Sequence, residues 1–122
     1  MELKMIIRFN FKLIFIVLLW SSTARLLAQD HLELKGKIVD SEQKPIELAI
    51  VKLYQAADSS LISSAFSEKN GDFLIQQLKA SDYYFSIEFL GLEKYISERI
   101  ALQKNTIIPT VTMLPQVGLL SE

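Results

Sequence analysis

The sequence contains no cysteine and a single histidine, His31. These shortages exclude disulfide bonds, thiol nucleophiles, thiolate zinc sites and metal centres built on paired histidines. An excess of one charge is also missing, because 13 basic and 14 acidic residues leave a net charge of -1. Such a balance creates no field that attracts a polyanion, so nucleic acid is not an expected partner. We therefore expect no catalytic, cofactor-binding or metal-binding residues, and no enzyme.

Long hydrophobic runs are lacking too, apart from one near the start of the chain. Leu13–Trp20 is an uninterrupted apolar run of 8 residues, whereas a membrane-spanning helix needs roughly 20. Basic residues at Lys4, Arg8 and Lys12 precede this run, which is the arrangement typical of a secretory signal peptide. We predict a helical signal peptide over residues 1–28 and an exported protein.

Two cleavage positions follow the apolar run, one after Ala28 and one after Ala24. Cleavage after Ala28 is preferred because it removes Arg25 and starts the mature chain at a polar sequence. The alternative is an uncleaved N-terminal anchor, since Arg25 flanks the run as a stop-transfer charge would. The length fits one domain, which we place at residues 29–114, followed by a tail at residues 115–122.

Beyond Gln29 the apolar residues alternate with a period of two, which predicts strands with one buried face. The clearest strand has Tyr83, Phe85, Ile87 and Phe89 on its predicted inner face. The seven predicted strands are Leu32–Ile38, Ala49–Tyr54, Leu61–Phe66, Phe73–Leu78, Asp82–Leu90, Lys94–Leu102 and Thr106–Leu114. Short strands at this spacing predict an all-β fold, a Greek-key sandwich of two sheets.

Turn-forming residues refine this prediction at two places. Asn70-Gly71 separates two strands and favours a type I′ hairpin turn, in which both residues have positive φ. Pro109 interrupts the last strand and cannot donate a ladder hydrogen bond, so that strand is predicted at a sheet edge. On this basis a lysine at Val111 is expected to impair association more than folding.

Several short motifs occur in a familiar order along the chain. They are Gly36-Lys37-Ile38-Val39-Asp40, Lys44-Pro45-Ile46, Ala49-x-Val51-x-Leu53, Asp58-Ser59-Ser60, Asn70-Gly71-Asp72-Phe73, Leu78 and Tyr83. Together they resemble the carboxypeptidase regulatory-like domain over about Leu34 to Leu114. The similarity is greatest to the version that follows the signal peptide in outer-membrane β-barrel and TonB-dependent-receptor-like proteins of the Bacteroidota. The sequence departs from the family pattern at Ser81-Asp82 and Gly91-Leu92, where the family has glycine or Gly-Tyr.

This resemblance implies a seven-stranded, transthyretin-like (prealbumin-like) sandwich without catalytic residues. It further implies a periplasmic accessory module that contacts a protein partner, an outer-membrane β-barrel or a component of the TonB system. Family members of this type are much longer, and Leu120-Ser121-Glu122 resembles the start of the segment that leads to their next part. We therefore expect that the chain is either a stand-alone module or a fragment whose tail is a truncated linker.

Two motifs that suggest chemistry have simpler explanations. The segment from Glu68 to Asp72 places oxygen atoms around a glycine, but it lacks the alternating ligands and the distal glutamate of a calcium loop. Ser59 and Ser60 follow Asp58, yet no nucleophile-elbow motif surrounds them, and the only base is His31. Both segments are interpreted as turns.

The aromatic residues leave a second function open, that of a small secreted carbohydrate-binding module. Tyr54, Tyr84 and Phe66 are predicted to point outward, where they would form a platform for a sugar ring. The leading hypothesis remains a non-catalytic module that acts by protein contact through a sheet face or an edge strand, because edge strands have unpaired backbone groups.

Overall fold

A computed structural model describes residues 31–117, which form an all-β structure of nine strands. The strands are β1 (Leu32–Val39), β2 (Ile50–Gln55), β3 (Leu61–Phe66), β4 (Asp72–Leu78), β5 (Ser81–Glu88), β6 (Tyr95–Ile96), β7 (Ile100–Leu102), β8 (Thr106–Ile107) and β9 (Val111–Thr112). The predicted signal peptide, both cleavage positions and residues 118–122 lie outside this part. Between His31 and Val117 there is no helix long and apolar enough to cross a membrane.

The strands form two sheets that enclose one core, so the predicted all-β sandwich is confirmed. In the first sheet β1 is central, with β4 antiparallel on one side and β8 and β9 parallel on the other. In the second sheet the order is β3-β2-β5, and both β6 and β7 pair with the far side of β5. The Greek-key connectivity stays a prediction.

The predicted count of seven strands is wrong because two predicted strands are each divided by a bulge. Along β5, Ser86 pairs with Ile96 and Tyr83 with Ile100, which sets residues 97–99 opposite residues 84–85. This extra residue is accommodated by Ser97, whose N–H donates to Phe85 O at 2.8 Å and whose Oγ accepts from Phe85 N–H at 2.9 Å. A side-chain oxygen thus replaces a ladder carbonyl at the bulge.

The second interruption divides the predicted last strand into β8 and β9. Lys35 pairs with Ile107 and Ile38 with Val111, so residues 108–110 lie opposite residues 36–37. Pro109 sits inside this bulge, where no ladder hydrogen bond needs its missing N–H. Within residues 31–117, β8 and β9 pair only with β1, and the predicted edge position is confirmed.

The core contains apolar side chains from both sheets, as the alternation predicts. Phe73, Tyr83 and Phe85 are 2–3% exposed, which confirms their predicted inward orientation. Phe89 is 38% exposed, and its predicted burial is wrong. The reason is that β5 ends at Glu88, so the period of two no longer sets the direction of the next side chain.

Gly36 in the middle of β1 makes room for two neighbouring side chains. A Cβ atom at this position would lie 2.5 Å from Cζ of Phe73 and 2.7 Å from Cγ1 of Ile108. The ring of Phe73 in turn contacts Phe85 of the opposite sheet, with ring centroids 6.0 Å apart. The missing side chain therefore lets an aromatic ring pack between the sheets.

The hairpin between β3 and β4 differs from its prediction. Gly71 has φ 85°, but Asn70 is not in the positive-φ region, so the turn is not of type I′. Gly71 N–H donates to Glu68 O at 2.8 Å, which closes a turn over Lys69 and Asn70 with the glycine directly after it. This arrangement matches the three-residue hairpin loop, in which a left-handed residue follows a type I turn.

Val111 lies in the core, which corrects the expectation that a lysine there would impair association more than folding. Its side chain is 5% exposed and belongs to the core, because β9 turns this residue inward. Val111→Lys should lower the free energy of unfolding by about 3 kcal/mol or more, since the substitution buries an unpaired charge.

The matched control is Thr112→Lys on the same short strand, where the side chain is exposed. Denaturant melts should show a change within about 0.5 kcal/mol for this variant. Equal stability of the two variants would contradict the burial of Val111.

Candidate protein-interaction surface

The described part of the sandwich has four strand edges, and three of them are poorly suited to pair with another strand. The β6/β7 and β8/β9 edges consist of pieces of two or three residues separated by bulges. On the β4 edge, Gln77 adopts φ 58° where the register to β1 shifts. At the other end of β4, Asp72 O accepts from Glu68 N–H at 2.8 Å, and Asp72 N–H donates to Asn70 Oδ1 at 3.1 Å. Bulges and bonded backbone groups protect these edges.

The β3 edge lacks this protection. The strand has a bulge at Ile62, near its start. After the bulge, Ser63–Phe66 pair with β2 in one continuous register. Charged residues and proline usually prevent an edge strand from pairing with another strand. Neither occurs in Leu61–Phe66. The side chains of Leu61, Ile62 and Phe66 are 56%, 44% and 62% exposed. We identify β3 as the candidate interaction edge.

The hydrogen bonds of β3 show which backbone groups face outward. Ser67 N–H donates to Ala49 O at 3.0 Å, so this residue directs its backbone groups toward β2. In an antiparallel pair the direction alternates from residue to residue. Ser64 and Phe66 therefore direct their N–H and C=O groups away from β2, toward the open edge, where an added strand would bond to them.

Ser67 holds the end of this edge strand in place. Its buried Oγ donates to Ile46 O at 2.6 Å and accepts from Ala49 N–H at 2.9 Å, while its carbonyl accepts from Leu48 N–H at 2.9 Å. Leu48 itself adopts φ 65° and its side chain is 64% exposed. A leucine in the left-handed region is uncommon, and the bond from Leu48 N–H to Ser67 O, together with the bonds of Ser67 to Ile46 and Ala49, holds it there.

The outer face beside the edge is partly apolar. Ile50 pairs with Phe66 in register, and Leu48 lies two residues before Ile50. Farther along, Tyr54 and Tyr84 form a cross-strand pair with ring centroids 5.1 Å apart and an angle of 18° between the rings. Both tyrosines are half-buried, and Phe66 is exposed, which confirms that all three point outward. Apolar side chains thus occur on the sheet face beside the edge as well as on the edge itself.

Two lysines and Glu88 form a small ion-pair group on the same face. Lys52 Nζ lies 3.2 Å from Glu88 Oε2, and Lys94 Nζ lies 3.6 Å from Glu88 Oε1. The hydrogen bond from Lys52, followed by the positive charges of Lys52 and Lys94, lowers the pKa of the Glu88 carboxyl below its ordinary 4.5. Lys52 lies opposite Ser64 in register and between Ile50 and Tyr54 on the outer face, so this group interrupts the apolar surface beside the edge, while β3 itself carries no charge.

The motifs considered for chemistry serve as turns. Asp58 Oδ1 accepts from Ser60 N–H at 3.0 Å and from Ser60 Oγ at 2.7 Å, bonds that also lower the pKa of Asp58. Asn70 Nδ2 donates to Asp72 Oδ2 at 2.9 Å within the hairpin. Over residues 31–117, no group of three or more acidic or histidine side chains could hold a metal ion.

A groove of about 480 Å³ occupies the opposite side of the sandwich, between the two bulged edges. Its lining includes Phe85, Tyr95 and Pro109, together with Glu98 and Arg99. Arg99 is paired with Asp82, and Tyr95 packs against Phe85 with centroids 5.8 Å apart. The charged groups at its mouth and the broken strands make this side less suitable for strand addition than β3.

The edge predicted from the sequence and the edge that the structure favours as a candidate are different. Reasoning from the sequence correctly placed Thr106–Leu114 at an edge because of Pro109, but that edge is short and bulged. The signal for β3 was present in Leu61–Phe66, a strand-like segment without charge or proline. The alternation of apolar residues does not predict the order of strands in the sheet, and that order leaves β3 with β2 as its one neighbouring strand among residues 31–117.

Ser67→Ala tests how the edge is positioned. The substitution leaves the N–H of Ala49 and the carbonyl of Ile46 without their buried partner, so the free energy of unfolding should fall by about 2 kcal/mol. Ser64→Ala is the matched control, because Ser64 is exposed, and it should change stability by less than about 0.5 kcal/mol. Denaturant melts of equal midpoint would exclude the positioning role of Ser67.

Lys52→Met tests the ion-pair group. Removing the first partner should raise the pKa of Glu88 toward 4.5, as followed by a carboxyl NMR titration. In the wild type the depressed pKa contributes stability above pH 4.5 that is lost as the pH falls through the lower folded pKa. As the pH falls from 4.5 through that folded pKa, Lys52→Met should therefore lose less folding stability than the wild type does. Lys104→Met, which lies outside this group, should leave the pKa of Glu88 unchanged.

Comparison with protein-family models found no match, and comparison with curated proteins found none either. Solved structures do match. A 3-chlorocatechol 1,2-dioxygenase from Rhodococcus opacus has 11% identity and a TM-score of 0.56, covering 73% of this chain and 61% of that chain. A type II cohesin–X-dockerin complex from Acetivibrio cellulolyticus has 15% identity and a TM-score of 0.58, covering 69% and 58%.

The major pilin subunit of Bacillus cereus has 13% identity and a TM-score of 0.57, covering 68% of this chain and 28% of that chain. The chain thus spans less than two thirds of each of these three solved chains. Likeness at such low identity shows a shared fold and no more. The comparisons establish this chain as a β-sandwich.

Proposed function

We propose that this chain is a non-catalytic, exported β-sandwich module that acts through protein–protein contact at the β3 edge. The observation that carries the proposal is the strand itself, which is exposed, uncharged and free of proline. Ser64 and Phe66 offer unpaired N–H and C=O groups there, and main-chain bonds to such groups supply affinity when an extended segment adds to a sheet. The exposed ring of Phe66 supplies apolar contact beside them.

The cellular setting is proposed from the sequence. Lys4, Arg8 and Lys12 before the apolar run support export through a signal peptide. The resemblance to the carboxypeptidase regulatory-like domain supports an accessory role, at the periplasmic side of an outer-membrane β-barrel or TonB-dependent transport system of the Bacteroidota. In that role the module would supply a docking edge and no chemistry of its own.

The alternative, a carbohydrate-binding module, has weaker support. A sugar-binding platform needs aromatic faces that are open to the ligand. Tyr54 and Tyr84 stack on each other at 5.1 Å, so each ring uses one face in that pair. Phe66 remains as a single exposed ring on the edge strand. Its position there favours apolar contact with an added strand over stacking on a sugar ring.

A photo-crosslinking amino acid at Ser64 tests the protein-contact function. The full-length chain would be made in its native host with the crosslinker at Ser64 on the edge, or at Ser41 in an exposed loop as control. After irradiation, we expect discrete protein adducts in the envelope fraction from position 64 and none from position 41. Absence of adducts from position 64, or the same pattern from both positions, would refute contact through this edge.

A further inference from the structure

We infer that the strand added at β3 is the β3 strand of a second copy of this chain. The two strands would run antiparallel about a two-fold axis at Ala65, with Ser64 of one copy opposite Phe66 of the other. This inference rests on the proposed function, because it uses the same open edge, and it names the partner. A two-fold contact of this kind closes on itself, so it produces a dimer.

The edge is compatible with its own copy because it carries no charge. Antiparallel pairing places each residue of β3 opposite another residue of the same segment, so like charges there would repel each other. Leu61–Phe66 contains only apolar side chains and two serines, and no such repulsion arises. The charged groups nearest in register, Lys52 and Glu88, lie one and two strands farther into the sheet and are paired with each other.

The hydrogen-bonding direction sets the register. Ser64 and Phe66 are the edge-facing residues in the regular part of β3, since Ile62 lies in the bulge. When Ser64 of each copy lies opposite Phe66 of the other, two hydrogen-bonded pairs form. Every outward N–H and C=O group of Ser64 and Phe66 then has a partner. A register centred on Ser64 would instead set Phe66 against the bulged Ile62, where the ladder is irregular.

The side chains fit the same register. Phe66 is 62% exposed and would lie beside the small Ser64 of the other copy, which leaves space for the ring. The two Phe66 rings would be diagonal neighbours across the axis, about 7–8 Å apart at the backbone, within reach of aromatic contact. Pairing would therefore cover the largest apolar side chain of the edge and join two five-stranded sheets into one.

A charge exchange at Ser64 tests this arrangement. Sedimentation of the purified full-length protein should show a monomer–dimer equilibrium. Ser64→Lys and Ser64→Glu each place two like charges across the axis, so each should weaken association by about tenfold or more. An equimolar mixture of the two variants should form a mixed dimer and recover most of the association. Thr112→Lys on the opposite edge is the matched control and should dimerise as the wild type does.

Three results would overturn the inference: a wild type that stays monomeric up to its solubility limit, a Ser64→Lys variant that still dimerises, or a mixture that fails to recover. Thermal melts establish that the variants fold. If the charged variants at Ser64 do not fold, the double variant Ser64→Cys/Phe66→Cys replaces them. Because the chain has no other cysteine, a disulfide bond between two chains can form only at these positions. Oxidation should then link two chains, unlike Ser41→Cys, and failure to link would refute the register.

The two proposals fail separately. If the crosslinker at Ser64 captures a different protein while the wild type sediments as a monomer, the edge is an interaction site and the second copy is not its partner. If position 64 captures nothing and the wild type is a monomer, both proposals fail. An adduct of twice the chain mass together with a sedimenting dimer would support both.

Discussion

The packing of Phe73 over Gly36 is the contact on which the arrangement of the two sheets depends. No disulfide bond joins the sheets, so their packing rests chiefly on the core, and a side chain on residue 36 would occupy the space of the ring. Phe73 reaches Phe85 of the opposite sheet, and Phe85 reaches Tyr95 beside the open groove. This line of rings passes from one sheet to the other and continues along the second, and the missing side chain at Gly36 leaves the space for its first ring.

The same packing leads to the unequal protection of the edges. Ile108 shares the space above Gly36, and the chain reaches it by inserting one extra residue between β8 and β9. The bulge that packs the partly buried Ile108 against the core also breaks the edge strand into short pieces. On the other side, a bulge also separates β6 from β7, and there the hydroxyl group of Ser97 accepts from Phe85 N–H. Backbone geometry that serves the core therefore blunts two edges, while β3 has only one bulge near its start.

Much of the fold follows from the pattern of the sequence. Alternation located the strands and the inward side chains Phe73, Tyr83 and Phe85, because a buried sheet face demands apolar residues at every second position. It failed at Phe89, where the strand had ended, and at Val111, whose inward direction depends on the bulge before it. A bulge shifts the alternation by one residue, and no local residue pattern announced it at Ser97.

The candidate interaction edge shows the same division between what a local pattern predicts and what tertiary contacts decide. By itself the sequence determined that the part beyond Gln29 is built of strands and that the chain has no cysteine and no second histidine, and it contained an uncharged strand at Leu61–Phe66. Only the tertiary structure decided that this strand has one neighbour and that Ser64 and Phe66 face the open side. The physical reason is that strand propensity and alternation are local properties, whereas the order of strands in a sheet depends on contacts between residues far apart in the chain.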